Sequence, residues 1–122
     1  MSIRLKRVYE PPAASDGTRV LVDRLWPRGI SKDKARIDLW LKDIAPSGAL
    51  RKRFHNKPED WDAFCEAYYS ELRGAAAHAA AEDLIERLHS GPITLLYAAR
   101  SEQRNNAVAL KAWIERQRKR RK

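Results

Sequence analysis

Short apolar runs separated by glycine and proline predict three strands. Residues 3–9 alternate imperfectly between apolar and polar side chains and form the first predicted strand. Residues 19–22 are mostly β-branched or apolar and predict a second, interior strand, which Pro27 and Gly29 prevent from continuing. Residues 93–99 are continuously apolar, which is typical of a parallel strand covered on both faces, and form the third predicted strand.

Between the second and third predicted strands, the spacing of apolar residues predicts helices. Pro58 suits the first position of a helix, and apolar residues then recur at steps of three and four. This stripe consists of Trp61, Phe64, Cys65, Tyr68 and Leu72. Residues 75–89 predict a second helix, and a last helix is predicted from about Asn105. We therefore predict one α/β domain over residues 1–115, with a small parallel or mixed sheet of about three or four strands covered by helices.

The length and composition of the chain limit the classes of protein to which it can belong. A chain of 122 residues fits a single domain. It has no apolar run of about 18 residues for a membrane span, and its start lacks the apolar region of a secretory signal, so we expect a cytoplasmic protein without membrane contact. The single cysteine, Cys65, excludes an intramolecular disulfide. Neither Cys65 nor the histidines show the spacing of metal ligands, and we predict no metal and no cofactor.

The formal net charge of +9 is unevenly distributed along the chain. Residues 1–57 contain 14 Lys or Arg against 6 Asp or Glu, whereas residues 58–115 contain 5 against 10. Residues 116–122 are predicted to form a basic, flexible tail. Its cations are Arg116, Arg118, Lys119, Arg120, Arg121 and Lys122. Such a tail attracts polyanions through counterion release, which indicates non-specific contact more than a defined target.

The second predicted strand runs directly into charged residues that a hydrophobic core does not require. Asp23, Arg24, Trp26 and Arg28 follow its carboxyl end, where ligands bind in open α/β sheets. Because side chains alternate along a strand, Asp23 and Arg24 enter opposite covered faces, and each needs a partner. We expect Arg28 and Arg100 to pair with Asp23. Since nearby arginines oppose the rise in pKa that burial would give Asp23, we expect it to position other groups and not to transfer protons.

More polar residues are expected at the same edge of the sheet. Arg100 directly follows the third strand, and the last helix begins nearby with Asn106 and free backbone N–H groups that attract phosphate. Arg51 belongs to a basic segment for which two interpretations stay open, an exposed surface, which is the simpler one, and an extension of the predicted site. Trp26 and Trp40 are both more typical of packing residues, but Trp26 lies among arginines and is the better candidate for stacking on a base.

Three interpretations of this cluster stay open. In the first, which we favour, an anion pocket binds a nucleotide or another phosphorylated small molecule, because more cations gather at this edge than Asp23 can neutralise. The pocket residues are Asp23, Arg24, Trp26, Arg28, Arg51, Arg100 and Asn106. In the second, a nucleic-acid-binding module uses the same edge and the basic tail. In the third, the arginines form a structural ion-pair network in an interaction domain. No nucleophile with its base is visible, so the reaction, enzyme status and oligomeric state stay open.

Several motifs together resemble a known family. They are residues 21–29 (LVDRLWPRG), residues 45–47 (APS), Leu50-Arg51, Pro58 with Trp61 and Phe64, residues 95–99 (LLYAA) and Asn106-Ala107. In this order, over about residues 3–114, they resemble the YeaO-like family, called domain of unknown function 488. The resemblance implies a small bacterial cytosolic α/β protein and supplies no reaction. The family typically has a His-Asp-like pair before this proline, whereas this chain has Asn56-Lys57, so we expect no acid/base or metal role there.

Overall fold

Four parallel strands and five α-helices form the fold of the described residues, 2–55 and 57–120, in a computed structural model. The strands are β1 (Ile3–Arg7), β2 (Thr18–Leu21), β3 (Leu39–Trp40) and β4 (Ile93–Tyr97). The helices are α1 (Lys32–Ala35), α2 (Gly48–Arg53), α3 (Trp61–Glu71), α4 (Ala75–Leu88) and α5 (Asn106–Arg120). The predicted α/β class, with a small parallel sheet, is confirmed.

Strand β4 lies inside the sheet, in the spatial order β1-β4-β2-β3. Ile93 pairs with Ile3 on one side and with Thr18 on the other, and all pairings are parallel. All five residues of β4 are buried, as its continuous apolar run requires. The three predicted strands are confirmed, although the third ends at Tyr97. Strand β3 was missed because two residues are too short to show an alternating pattern.

The larger hydrophobic core lies on one face of the sheet, under helices α2 to α5. Alternate strand residues point into it, including Val20 from β2 and Leu95 from β4. The fully buried helix residues beneath them are Tyr68, Leu72, Leu84, Leu88, Leu110 and Ile114. Each fully buried side chain of this size stabilises the fold by about 1.5–3 kcal/mol. Because a one-residue slip would turn these side chains to the other face, the core also fixes the strand register.

The opposite face of the sheet carries a smaller apolar cluster. Its buried members are Val8, Leu21, Ala35, Ile37 and Leu96. Of the five helices described, only α1 contributes to it, and the partly buried Trp26 and Trp40 pack at its border. The helical cover predicted for the sheet is therefore unequal, with four helices on one face and one short helix on the other.

A buried group of charges lies on this second face, beside the amino end of β2. Arg19 Nη1 donates to Asp16 Oδ2 at 2.6 Å, and Lys6 Nζ lies 3.1 Å from the same oxygen. Asp16 and Arg19 are each 3% exposed. Burial alone would raise the pKa of Asp16, but hydrogen bonds from a backbone N–H and from both cations lower it overall. We call Lys6, Asp16 and Arg19 the Asp16 cluster.

The predicted helices agree with the structure within a few residues. A 3-10 turn over Pro58–Asp60 leads directly into α3, and α4 ends one residue before the predicted end. Helix α5 starts one residue after Asn105, the predicted start. Within the described part of the chain, no helix combines the length and the apolar character that a bilayer crossing requires.

Candidate functional site

A large open cleft lies at the carboxyl ends of the strands. Its volume is about 1230 Å³. Its walls come from the loop after β2, from the end of α2 with the start of α3, and from the loop between β4 and α5. All seven residues of the predicted pocket line this cleft, namely Asp23, Arg24, Trp26, Arg28, Arg51, Arg100 and Asn106. The fold thus gathers residues that are distant in sequence around one space.

Asp23 joins the exits of two strands. Its Oδ2 accepts the backbone N–H of Ala98, directly after β4, at 2.9 Å, and its Oδ1 accepts a bond from Asn106 Nδ2 at 3.0 Å. The backbone carbonyl of Asp23 accepts the indole N–H of Trp40 at 2.7 Å. Both carboxylate oxygens and the backbone oxygen therefore hold neighbouring segments in place.

The predicted pairing of Asp23 with Arg28 and Arg100 is wrong. Among the described residues, neither arginine lies within ion-pair distance of Asp23, whose partners are amide N–H groups. Burial raises the pKa of Asp23 above its ordinary value of 3.8, although the bonds from Asn106 and Ala98 and the charge of Arg51 act in the opposite direction. Burial therefore outweighs the opposing arginine charge that the sequence led us to expect.

The guanidinium of Arg24 is hydrogen-bonded to backbone carbonyls. Its Nη2 donates to the carbonyl of Ala45 at 2.8 Å, and its Nε donates to the carbonyl of Pro46 at 3.2 Å. These carbonyls lie just before α2, so the guanidinium ties the start of that helix to the loop after β2. Arg24 lines the cleft, but this structural role takes up much of its hydrogen-bonding capacity.

The other three predicted arginines have a different character. Arg28, Arg51 and Arg100 are exposed, and no hydrogen bond or ion pair to another described residue holds their side chains. Further lining cations that the prediction did not include are Lys52, Lys57 and Arg104. Asp23 is the one carboxylate among the described lining residues, so positive charge dominates the cleft.

Trp26 lies at the edge of the cleft and packs towards the second face of the sheet. Its indole N–H donates to the carbonyl of Ile30 at 2.8 Å. Its ring meets Trp40 edge-on, with centroids 5.3 Å apart and an interplanar angle of 69°. These contacts account for Trp26 as a packing residue, the role that the sequence favours for both tryptophans.

The amino end of α5 is closed by asparagines. Asn105 Oδ1 accepts the backbone N–H of Val108 at 2.9 Å, which caps the helix. Asn106 Nδ2 donates to the carbonyl of Val22 at 3.0 Å as well as to Asp23. The side chain of Asn106 thus positions Asp23, and one N–H expected to attract phosphate is already bonded.

An aromatic group in the cleft was not predicted as part of the site. Phe54, Trp61 and Phe64 are half-buried and line the cleft, and we call them the aromatic wall. Trp61 and Phe64 stack with centroids 5.6 Å apart, and Phe54 meets Phe64 edge-on at 5.9 Å. The helical stripe indicates that Trp61 and Phe64 face inwards, but it does not show how deep they lie. The sequence feature that indicates this aromatic group is Phe54, which interrupts a run of cations.

The described part of the predicted basic tail, residues 116–120, lies away from the cleft. Helix α5 continues to Arg120, so residues 116–120 are helical, while Arg121 and Lys122 lie outside the described residues. Arg116 stacks over the ring of Tyr69 at 5.2 Å. At 1.5 Å per residue, the last turn of α5 lies about 20 Å along the helix from its start at the cleft. The division of the chain at residue 115 stays a prediction.

Of the three histidines and the single cysteine, only His55 belongs to the cleft lining that the structure describes. His55 is exposed and lines the cleft. Cys65 is a half-buried free thiol whose pKa is raised by burial, and it lies outside the cleft lining. No group of three or more histidine, cysteine or acidic side chains among the described residues is arranged to hold a metal ion.

The chain is similar to known proteins along most of its length. Residues 2–122 match a family model described as the inactive DUF488-N3 subclade. The chain is 45% identical to the uncharacterized protein YeaO of Escherichia coli (strain K12) over 114 residues, which cover 93% of this chain and 97% of YeaO. It is 44% identical to the uncharacterized protein Rv3073c of Mycobacterium tuberculosis (strain ATCC 25618 / H37Rv) over 108 residues, covering 88% and 89% of the two chains. No solved structure matches the chain.

Proposed function

This chain belongs to the YeaO-like DUF488 family, and we propose that it binds a phosphorylated small molecule in the cleft at the carboxyl ends of its strands. The observation that carries the proposal is the imbalance of charge in the cleft. Arg28, Arg51 and Arg100 line it without a hydrogen bond or ion pair to another described residue. Exposed guanidinium groups that converge on one concave space are suited to bind phosphate oxygens in pairs.

The one lining carboxylate does not neutralise these arginines. Both oxygens of Asp23 already accept hydrogen bonds, from Ala98 and Asn106. Burial raises the pKa of Asp23, although the charge of Arg51 acts in the opposite direction. An anionic ligand would therefore meet positive potential across the cleft, and this attraction has to exceed the entropy cost of ordering the arginine side chains.

We propose binding without turnover. The matching family model is described as inactive, and this description supports a protein that retains the pocket without a reaction. The contacts of Asp23 agree with such a role, because both of its carboxylate oxygens already accept hydrogen bonds that join two strand exits.

The test is a thermal-shift and calorimetry screen of the full chain with inorganic phosphate, ribose 5-phosphate and nucleoside monophosphates. A ligand present at 100 times its Kd should stabilise the protein by about 2.7 kcal/mol. Replacing Arg28 and Arg100 together by alanine should abolish this stabilisation. Arg73→Ala is the matched control, since Arg73 is exposed and lies outside the cleft. If no phosphorylated compound stabilises the protein, the proposal fails.

Nucleic acid is the alternative ligand class, and it needs both basic regions. A polynucleotide track would have to run from the cleft to the last turn of α5, about 20 Å away along the helix. Replacing Arg118, Lys119 and Arg120 by glutamine should then weaken oligonucleotide binding and reduce its salt dependence. The same variant should leave the affinity for a small phosphorylated ligand unchanged if the cleft alone binds it.

A further inference from the structure

Trp61, in the aromatic wall, differs in its contacts from Trp26 and Trp40. The indole N–H groups of Trp26 and Trp40 donate to backbone carbonyls at 2.8 and 2.7 Å. The indole N–H of Trp61 has no hydrogen-bond partner among the described residues, although the ring stacks on Phe64. Trp61 is half-buried and lines the cleft. A ring face and a free donor are therefore available at the cleft surface.

Cations flank this wall. Arg51 and Phe54 lie three residues apart at the end of α2, which places them at neighbouring positions of one helical turn. Arg28 and Arg100 line the same cleft from the loops after β2 and β4. The cleft thus combines a flat apolar surface with several guanidinium groups, and a ligand that satisfies both needs a flat ring and an anionic group.

We propose that the ligand is a nucleoside monophosphate, whose base packs on the aromatic wall while its phosphate is held by the arginines of the cleft. This inference rests on the proposed function and specifies its ligand. A sugar phosphate would satisfy the arginines but leave Trp61 and Phe54 facing water. A base would cover these rings and could also accept a hydrogen bond from the indole N–H of Trp61.

Within the core, the aromatic wall is better placed to stack on a base than the rings of the interior. Tyr68, which lies beneath Phe64 with ring centroids 6.0 Å apart, is fully buried and donates to the carbonyl of Ile44 at 2.6 Å. Tyr68 therefore lies in the interior of the core, whereas Trp61 lies at the edge of the core, next to the cleft. Stacking of a base on such a side chain contributes enough that its removal weakens binding about tenfold or more.

The experiment measures binding of AMP, UMP and ribose 5-phosphate to the full chain by calorimetry, together with quenching of tryptophan fluorescence. The variants are Trp61→Leu, which removes the aromatic ring, and Trp61→Phe, which keeps one. We expect at least one nucleotide to bind tenfold or more tightly than ribose 5-phosphate. Trp61→Leu should remove that preference and leave the affinity for ribose 5-phosphate within about twofold, and Trp61→Phe should restore most of it. Melting temperatures show whether both variants are folded.

Each other result overturns a distinct statement. If ribose 5-phosphate binds the unaltered chain as tightly as both nucleotides, the anion cleft stands and the base-stacking inference fails. If a nucleotide binds preferentially but Trp61→Leu keeps the preference, the aromatic wall is not the binding surface. If neither nucleotides, ribose 5-phosphate nor inorganic phosphate bind, the proposed function fails together with this inference.

Discussion

The Asp16 cluster and the cleft hold positive charge in opposite ways. In the Asp16 cluster, Lys6 and Arg19 share one buried carboxylate, with contacts of 3.1 and 2.6 Å. In the cleft, Arg28 and Arg100 are exposed, and the carboxylate of Asp23, the one carboxylate among the described lining residues, is bonded to amide N–H groups. In the first region one buried carboxylate pairs with both cations, and in the second Arg28 and Arg100 have no ion-pair partner among the described residues.

This contrast separates two uses of arginine in one small fold. A buried guanidinium needs a counterion and hydrogen bonds in place of water, and Asp16 and the carbonyl of Ala35 supply them to Nη1 and Nε of Arg19, while its buried Nη2 has no partner among the described residues. An exposed guanidinium keeps its water and costs the fold little. Substitutions in the first region should therefore change stability, and substitutions in the second should change binding.

The largest effect is expected from Asp16→Asn. The substitution leaves Arg19 buried without its counterion, and breaking a buried pair in this way costs about 3–5 kcal/mol of unfolding free energy. Urea denaturation measures the change. The matched control is Asp83→Asn, which breaks an exposed pair with Arg87 and should cost less than about 0.5 kcal/mol. Equal losses in the two variants would contradict the distinction between the regions.

Asn106→Ala should have the next largest effect. It removes the donor that serves both the carbonyl of Val22 and the carboxylate of Asp23, and unpaired acceptors of this kind cost about 1–3 kcal/mol. Gln103→Ala, an exposed amide in the preceding loop, is the control and should change stability by less than about 0.5 kcal/mol. Unchanged stability of Asn106→Ala would show that Asp23 does not organise the strand exits.

Lowering the pH should change the contributions of Asp16 and Asp23 to stability in opposite directions. The pKa of Asp16 is lowered in the fold, so its contribution to stability is present above the ordinary value of 3.8 and is lost as pH falls through the folded value. The pKa of Asp23 is raised, so ionising it as pH rises through its folded value reduces stability. Denaturation of the unaltered chain and of Asp16→Asn between about pH 6 and pH 3 tests this. Parallel curves would contradict the role of Asp16.

The smallest effect on stability is expected from Arg51→Ala. Because Arg51 is exposed, the free energy of unfolding should change by less than about 0.5 kcal/mol. The substitution removes a charge that lowers the pKa of Asp23, so that pKa should rise further. Carboxyl carbon shifts in an NMR titration measure it, with Arg73→Ala as the control. A lower pKa for Asp23 in the variant would refute this electrostatic connection.

Much of the fold could be predicted because its pattern is local. The buried run of β4 and the stripe of α3 are visible as periodicity in the sequence. The two residues of β3 were invisible, since strand pairing with β2 and not a local pattern defines them. The unequal helical cover also escaped prediction, because periodicity shows which side of a helix is apolar but not which face of the sheet it covers.

The candidate site could be placed at the right edge but not in detail. The seven predicted residues line the cleft because parallel strands bring their carboxyl ends together. The partners of Asp23 are a backbone N–H and an asparagine, and no sequence pattern identifies a main-chain donor. Arg19 was predicted as part of an apolar strand, and its pairing with Asp16 three residues earlier was overlooked.

The position of β4 has a consequence for synthesis of the chain. Strand β1 has its one pairing partner in β4, about 90 residues later, and β4 also separates β1 from β2. Until the ribosome has synthesised β4, β1 therefore has no strand to pair with, and its backbone N–H and C=O groups are open to other chains. Ile93–Tyr97 must emerge before the sheet can close, so the nascent chain keeps an unpaired β1 until β4 has been translated.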